Sequence, residues 1–190
     1  MASLQLAASA LAEWRHGVHL VDRERWGCVF PADGLRGSAV GLHWSLMKIV
    51  VLVGLPGSGK STYLERMGAA GLSSDAIRKL LADDETDQTI HERVFQTLRY
   101  LLRQRLEIGR AVTCIDATNL RPEERKPYVE MGKSYGCEME AVFFDVPVEV
   151  CRERNARRAR VVPDEALTAM AAKLIPPGEA EGFDRVTVVR

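Results

Sequence analysis

The chain has 190 residues, 46% of them hydrophobic, and its 26 basic side chains balance 26 acidic ones. That length supports one good core plus an appendage. The neutral balance excludes a global field that would draw in nucleic acid or an anionic membrane, so any polyanion must be held locally.

Residues 1–46 carry all three tryptophans (Trp14, Trp26 and Trp44) and three of the four histidines, His16, His19 and His43. The only periodicity there is a short helical pattern near Leu4 to Trp14. The opening stretch lacks the basic start of a secretory signal, and no apolar run reaches the length of a membrane span. Cys28, Cys114, Cys137 and Cys151 form no CxxC pair and no metal-like spacing, which suits reduced thiols. We therefore expect a soluble, cytoplasmic protein with no membrane partner; nothing in the sequence speaks to its oligomeric state. Residues 1–46 are expected to be an N-terminal extension of unknown role, loosely packed or lying upstream of a start at Met47. The competing reading is an accessory segment that covers a sheet edge.

From Met47 the pattern changes. Ile49-Val50-Val51-Leu52-Val53 reads as a parallel strand buried on both faces. Directly behind it stands Gly54-Leu55-Pro56-Gly57-Ser58-Gly59-Lys60-Ser61-Thr62, a complete Walker A phosphate-binding loop. The glycines let successive amide N–H groups point inward at a polyphosphate, and the helix starting near Lys60 aims its positive end at the same anion. Lys60 would reach the β- and γ-phosphates, and the Ser61 hydroxyl would ligate Mg²⁺. The motif and its place between strand and helix point to a nucleotide such as ATP.

The helix after the loop should run to about Gly68, followed by a short strand at Gly71–Ser73 and a helix opened by Ser74 and Asp75. Asp75 and Arg78, three apart, share a helix face. They serve as general base and acceptor clamp, or else as a cap and an ordinary ion pair. The stretch Ala82-Asp83-Asp84-Glu85-Thr86-Asp87 is acidic and would repel a polynucleotide if it lay beside an acceptor groove. Ile90, Val94, Leu98, Leu101, Leu102 and Leu106 recur at helical spacing, and Gly109 ends that helix. His91, on the same helix, reads as a surface residue.

Ala111 to Ile115 is a second buried strand, closed by Asp116. A phosphate-binding loop needs a carboxylate there for Mg²⁺ or its waters; the bland reading is a turn-forming Asp. Pro122 starts the next helix and Gly136 stops it. Met139 to Val146 and Val186 to Val189 supply further strands. The arginine-dense stretch from Arg152 to Arg160 reads as a helix, with Arg154 and Arg158, four apart, projecting from one face as a lid over ATP phosphates, or else as a solvated basic face. Alternating strands and helices imply an α/β, P-loop NTPase or kinase fold: a mostly parallel sheet with helices on both faces and an arginine-rich lid.

These residues resemble the kinase domain of the 5′-hydroxyl polynucleotide kinases, within the wider group of small P-loop kinases. The resemblance runs from Lys48 to about Leu174. It rests on Gly-Leu-Pro-Gly-Ser-Gly-Lys-Ser-Thr, Ser-Asp-x-x-Arg at Asp75 and Arg78, and Asp116-Ala117-Thr118-Asn119-Leu120 followed by Pro122-Glu123-Glu124-Arg125. It continues through Phe144-Asp145-Val146-Pro147 and Arg154-Asn155-x-x-Arg158 to Val162-Pro163.

The resemblance implies that residues 47–190 are a P-loop kinase domain moving the γ-phosphate of ATP to the 5′-OH of a DNA or RNA end. Asp75 would take the hydroxyl proton, Arg78 would bind the acceptor's neighbouring phosphate, and Lys60 and Ser61 would hold the donor phosphates and Mg²⁺. Arg154 and Arg158 would be the lid arginines, and Asp116 would sit by the metal or orient a basic partner. Fold and donor site do not fix the acceptor. The alternatives are a kinase of a small-molecule alcohol and an ATP-binding regulatory module without transfer activity.

Overall fold

A computed structural model describes residues 47–190 apart from Ala70 and Ala159. The extension expected at residues 1–46 lies outside the described residues. In chain order the elements are β1 (Lys48–Val53), α1 (Lys60–Arg66), β2 (Gly71–Ser73), α2 (Ser74–Ala82), α3 (His91–Glu107), β3 (Val112–Asp116), α4 (Pro122–Ser134), β4 (Glu138–Phe144), α5 (Val148–Ala156), α6 (Asp164–Lys173), a single 3₁₀ turn (Glu179–Glu181) and β5 (Arg185–Val189).

The five strands form one sheet in the order β2-β3-β1-β4-β5. Every pairing is parallel, with Val51 of β1 opposite Ile115 of β3 and Ala141 of β4. β1 is central and buried on both faces because its side chains alternate between two clusters. Ile49, Val51 and Val53 pack with Val94, Leu98, Leu102 and Leu106 of α3 and with Tyr128 and Val129 of α4. Val50 and Leu52 pack with Leu64 of α1, Cys114, Val142 and Phe144. Each such side chain contributes roughly 1.5–3 kcal/mol on burial. The chain leaves β1 through α1 on one face and leaves β3 through α4 on the other. The strand order therefore reverses between β1 and β3, and the carboxyl ends of those two strands open the crevice in which ligands of such sheets bind.

Several boundaries differ from the sequence expectation. Ile90 precedes α3 as its N-cap residue rather than joining it. β4 stops at Phe144, and the Asp145 amide donates to the carbonyl of Val189. The expected arginine helix ends at Ala156, with Arg157 as its cap, so Arg154 lies on α5 and Arg158 lies beyond it. The cause is Asn155. Its amide donates to the Val162 carbonyl at 2.8 Å, and its oxygen accepts from the Val162 amide at 3.1 Å. This two-sided clamp turns the chain back after α5.

Candidate active site

The phosphate-binding loop is tied to its neighbours at each step. The Gly54 amide donates to the Thr118 carbonyl at 3.0 Å, joining the loop after β1 to the loop after β3. A Cβ on Gly54 would meet Ser58 Oγ at 2.8 Å and Phe144 Cβ at 2.9 Å, so only glycine fits there. Gly57 has φ 81° and Gly59 φ 99°, both in the left-handed region. A Cβ on Gly57 would also collide with the Cys151 carbonyl of α5. Leu55, Leu120, Cys151 and Leu167 pack beneath the loop.

Lys60 opens α1 and is buried. Its Nζ donates to the carbonyls of Gly54 and Leu55, both at 2.8 Å. Burial lowers its pKa to about 8, against an opposing pull from Asp116. Asp116 ends β3 half-buried; burial raises its carboxyl above the usual range, while Lys60 and Arg158 work to lower it. Ser61 and Thr62 follow Lys60 on the exposed side of α1.

On α2 the helix cap is Ser73, whose Oγ accepts from the Ala76 amide at 3.3 Å. The helix opens at Ser74 as expected, but its cap is Ser73 rather than Ser74 or Asp75. The Asp75 carboxylate instead receives two guanidiniums on Oδ1, from Arg78 at 3.3 Å and from Arg160 at 2.8 Å. Arg78 is buried, and its Nε has no hydrogen-bond partner among the described residues.

One cleft of about 1610 Å³ is lined by Pro56 to Thr62, Asp75, Arg78, Asp116, Arg154 and Arg158. Every sequence-selected position except Gly54 therefore borders the same space. A cleft for one small ligand occupies about 300–1,000 Å³, so this one has room for a donor and an acceptor together. Eight lysines and arginines face four carboxylates along its wall. A chain of zero net charge thus concentrates positive charge where a polyanion would lie.

Sequence reasoning passed over two features of this cleft. Arg160 belongs to the arginine-dense stretch, but helical spacing singled out Arg154 and Arg158 alone. His91 is exposed, as expected, yet it borders the cleft with its ring 4.8 Å from that of Phe95. The spacing of four between the two rings on one helix is a signal that the sequence does carry.

Donor chemistry is compatible with Mg²⁺. That cation takes one or two protein oxygens and fills its other positions with substrate phosphates and water. The Ser61 hydroxyl and the Asp116 carboxylate are oxygens of that kind at the rim of one cleft.

Known proteins share this fold. A curated relative, the L-seryl-tRNA(Sec) kinase of Methanococcus maripaludis, is 22% identical over 72% of this chain, which spans 56% of that relative's length. The Pnkp1/Rnl/Hen1 RNA repair complex contains a chain 23% identical with a TM-score of 0.59, over 72% of this chain and 47% of that one. A sugar kinase from Janibacter sp. HTCC2649 is 21% identical with a TM-score of 0.54, over 75% of this chain and 84% of that one. At these identities the structural likeness establishes the fold, and that fold is the kinase-like P-loop domain built above. The family model described as AAA domain matches residues 49–177, the span from β1 through the phosphate-binding loop to the segment after α6, and the chain belongs to that family.

Proposed function

We propose that this chain is an ATP-dependent phosphotransferase that moves the γ-phosphate to the 5′-hydroxyl of a polynucleotide end. The observation that carries this reading is the Asp75–Arg78 pair in the cleft that also holds the phosphate-binding loop. A carboxylate there can take a hydroxyl proton. A buried guanidinium beside it, with an unpartnered Nε, suits an acceptor that brings its own phosphate. The His91–Phe95 ring pair offers a surface on which a base can stack.

In the proposed step the acceptor oxygen bonds to the γ-phosphorus as the bridge to ADP breaks, and the hydroxyl proton passes to Asp75. Charge spreads over the transferring oxygens in a loose transition state, so alignment and cationic stabilisation do most of the work. Lys60 with the loop amides grips the donor phosphates, while Arg154 and Arg158 cover them and exclude water. Mg²⁺, held by Ser61 and Asp116, would neutralise phosphate charge.

A second reading, a kinase of a small hydroxyl-bearing metabolite, is favoured by one feature. Glu85, from the acidic stretch, borders the cleft and would oppose a polynucleotide backbone. The assay is incubation with γ-labelled ATP and Mg²⁺ alongside 5′-hydroxyl DNA, 5′-hydroxyl RNA and a mixture of small alcohols. We expect label on the oligonucleotides. Label only on a small molecule transfers the claim to the second reading, and free phosphate alone leaves a regulatory ATP-binding module.

A further inference from the structure

Asp75 carries a second guanidinium besides that of Arg78. Arg160 lies two residues beyond Arg158, its side chain is only 20% exposed, and its Nη1 bonds the same Oδ1 that Arg78 contacts. It borders the cleft with both of them. The segment that bears it is fixed at each end, by α5 before it and by the Asn155 clamp on Val162 after it. Asp84, another carboxylate that its charge reaches, is fully exposed and already accepts from the amide and hydroxyl of Thr86.

We propose that Arg160 is a specificity-determining residue of the acceptor side: it occupies the Asp75 carboxylate in the free protein and, together with Arg78, transfers to a phosphate of the acceptor, freeing Oδ1 for the hydroxyl proton. The inference rests on the reading of Asp75 as the proton acceptor.

Three physical points support it. A hydroxyl must reach a carboxylate oxygen to lose its proton, and Arg160 stands on one of them. Water is the competing acceptor in any phosphoryl transfer, so a cation that holds one of the base's two oxygens until an acceptor arrives hinders idle hydrolysis. A planar guanidinium binds phosphate oxygens as well as it binds a carboxylate, so the exchange keeps its donors satisfied. A neutral alcohol offers Arg160 nothing in return and leaves it on Asp75. The device therefore selects acceptors that carry a phosphate near the reacting hydroxyl.

The test uses the full chain, with Arg160→Ala and Arg160→Lys. The acceptors are a 5′-hydroxyl dinucleotide with its phosphodiester and the matching nucleoside without phosphate. Arg160→Ala should raise acceptor-independent phosphate release about 3–10-fold and raise KM for the dinucleotide roughly 10–100-fold, the loss of one charge-assisted hydrogen bond. Kd for ATP should stay as in the parent, transfer to the nucleoside should rise once Asp75 is uncovered, and Arg160→Lys should recover part of the dinucleotide KM. Unchanged phosphate release with an unchanged ratio of the two KM values would overturn the inference. Equal weakening of ATP binding would also overturn it, by placing Arg160 with the donor. Asp75→Asn run in parallel separates the two claims: full transfer by that variant sinks the reading of the base, whatever Arg160 does.

Discussion

Lys60 sits where its own charge is disfavoured. Burial outweighs the attraction of Asp116, and the ammonium is satisfied by two loop carbonyls while its pKa falls to about 8 from 10.5. Between those two pH values the unfolded chain binds more protons than the folded one. The cost of burying Lys60 is thus fully present below about pH 8 and fades as pH rises toward 10.5. A polyphosphate restores the reason for the charge, so nucleotide binding above pH 8 should take up a proton. We predict that ADP affinity is flat from pH 6.5 to 7.5 and then falls by up to about tenfold per pH unit above pH 8. Titration calorimetry in buffers of different ionisation enthalpy measures it, and Lys60→Met should abolish the slope. Affinity that stays level to pH 9.5 in the parent protein would show that Lys60 does not meet the phosphates.

The loop and α5 depend on each other through Gly57. Its φ of 81° is left-handed, and a Cβ there runs into the Cys151 carbonyl. Gly68 is also left-handed, with φ 60°, but a Cβ there meets nothing within 4 Å. Gly68→Ala should therefore lose only the backbone preference, about 1–2 kcal/mol, with nucleotide binding intact. Gly57→Ala displaces the loop or α5 as well and should cut transfer on the order of 100-fold. Melting temperature and ADP affinity measured on both variants distinguish them; similar ADP affinity in the two would mean the loop does not need this close approach. The loop, β1 and α3 were legible because their signals are local: a glycine pattern, an apolar run, a helical period. The end of α5 was not, because it is set by Asn155 reaching seven residues ahead to both polar groups of Val162. The cap of α2 was ambiguous for another reason. Ser73, Ser74 and Asp75 are all good cap residues, and only the backbone decides which oxygen meets the Ala76 amide.

Across the whole domain, Arg125 joins parts that are distant in sequence. It is fully buried, makes a two-pronged bond to Glu181, and donates to the carbonyls of Asn119, Leu120 and Ile175. Asn119 in turn donates to the Leu52 carbonyl at the end of β1. The C-terminal segment is thereby pinned to the loop after β3 and, through Asn119, to β1. Arg125→Ala strands a carboxylate and three carbonyls and should cost about 3–5 kcal/mol, read as a lower denaturation midpoint at unchanged slope. A midpoint within error of the parent would mean that solvent replaces the clasp. The sequence showed Arg125 only as part of a motif, since its partners lie as far as 56 residues away. The same holds for the basic cleft, which a neutral total charge conceals, and for Arg160, whose partner Asp75 is brought to it by the fold alone.

The most direct measurement compares Asp75→Asn with the parent protein for label transfer from γ-labelled ATP to a 5′-hydroxyl oligonucleotide, with ADP affinity determined on the same samples. The account predicts unchanged nucleotide affinity and transfer reduced about 10²–10⁴-fold, the contribution of a positioned base. Transfer at the parental rate would contradict it.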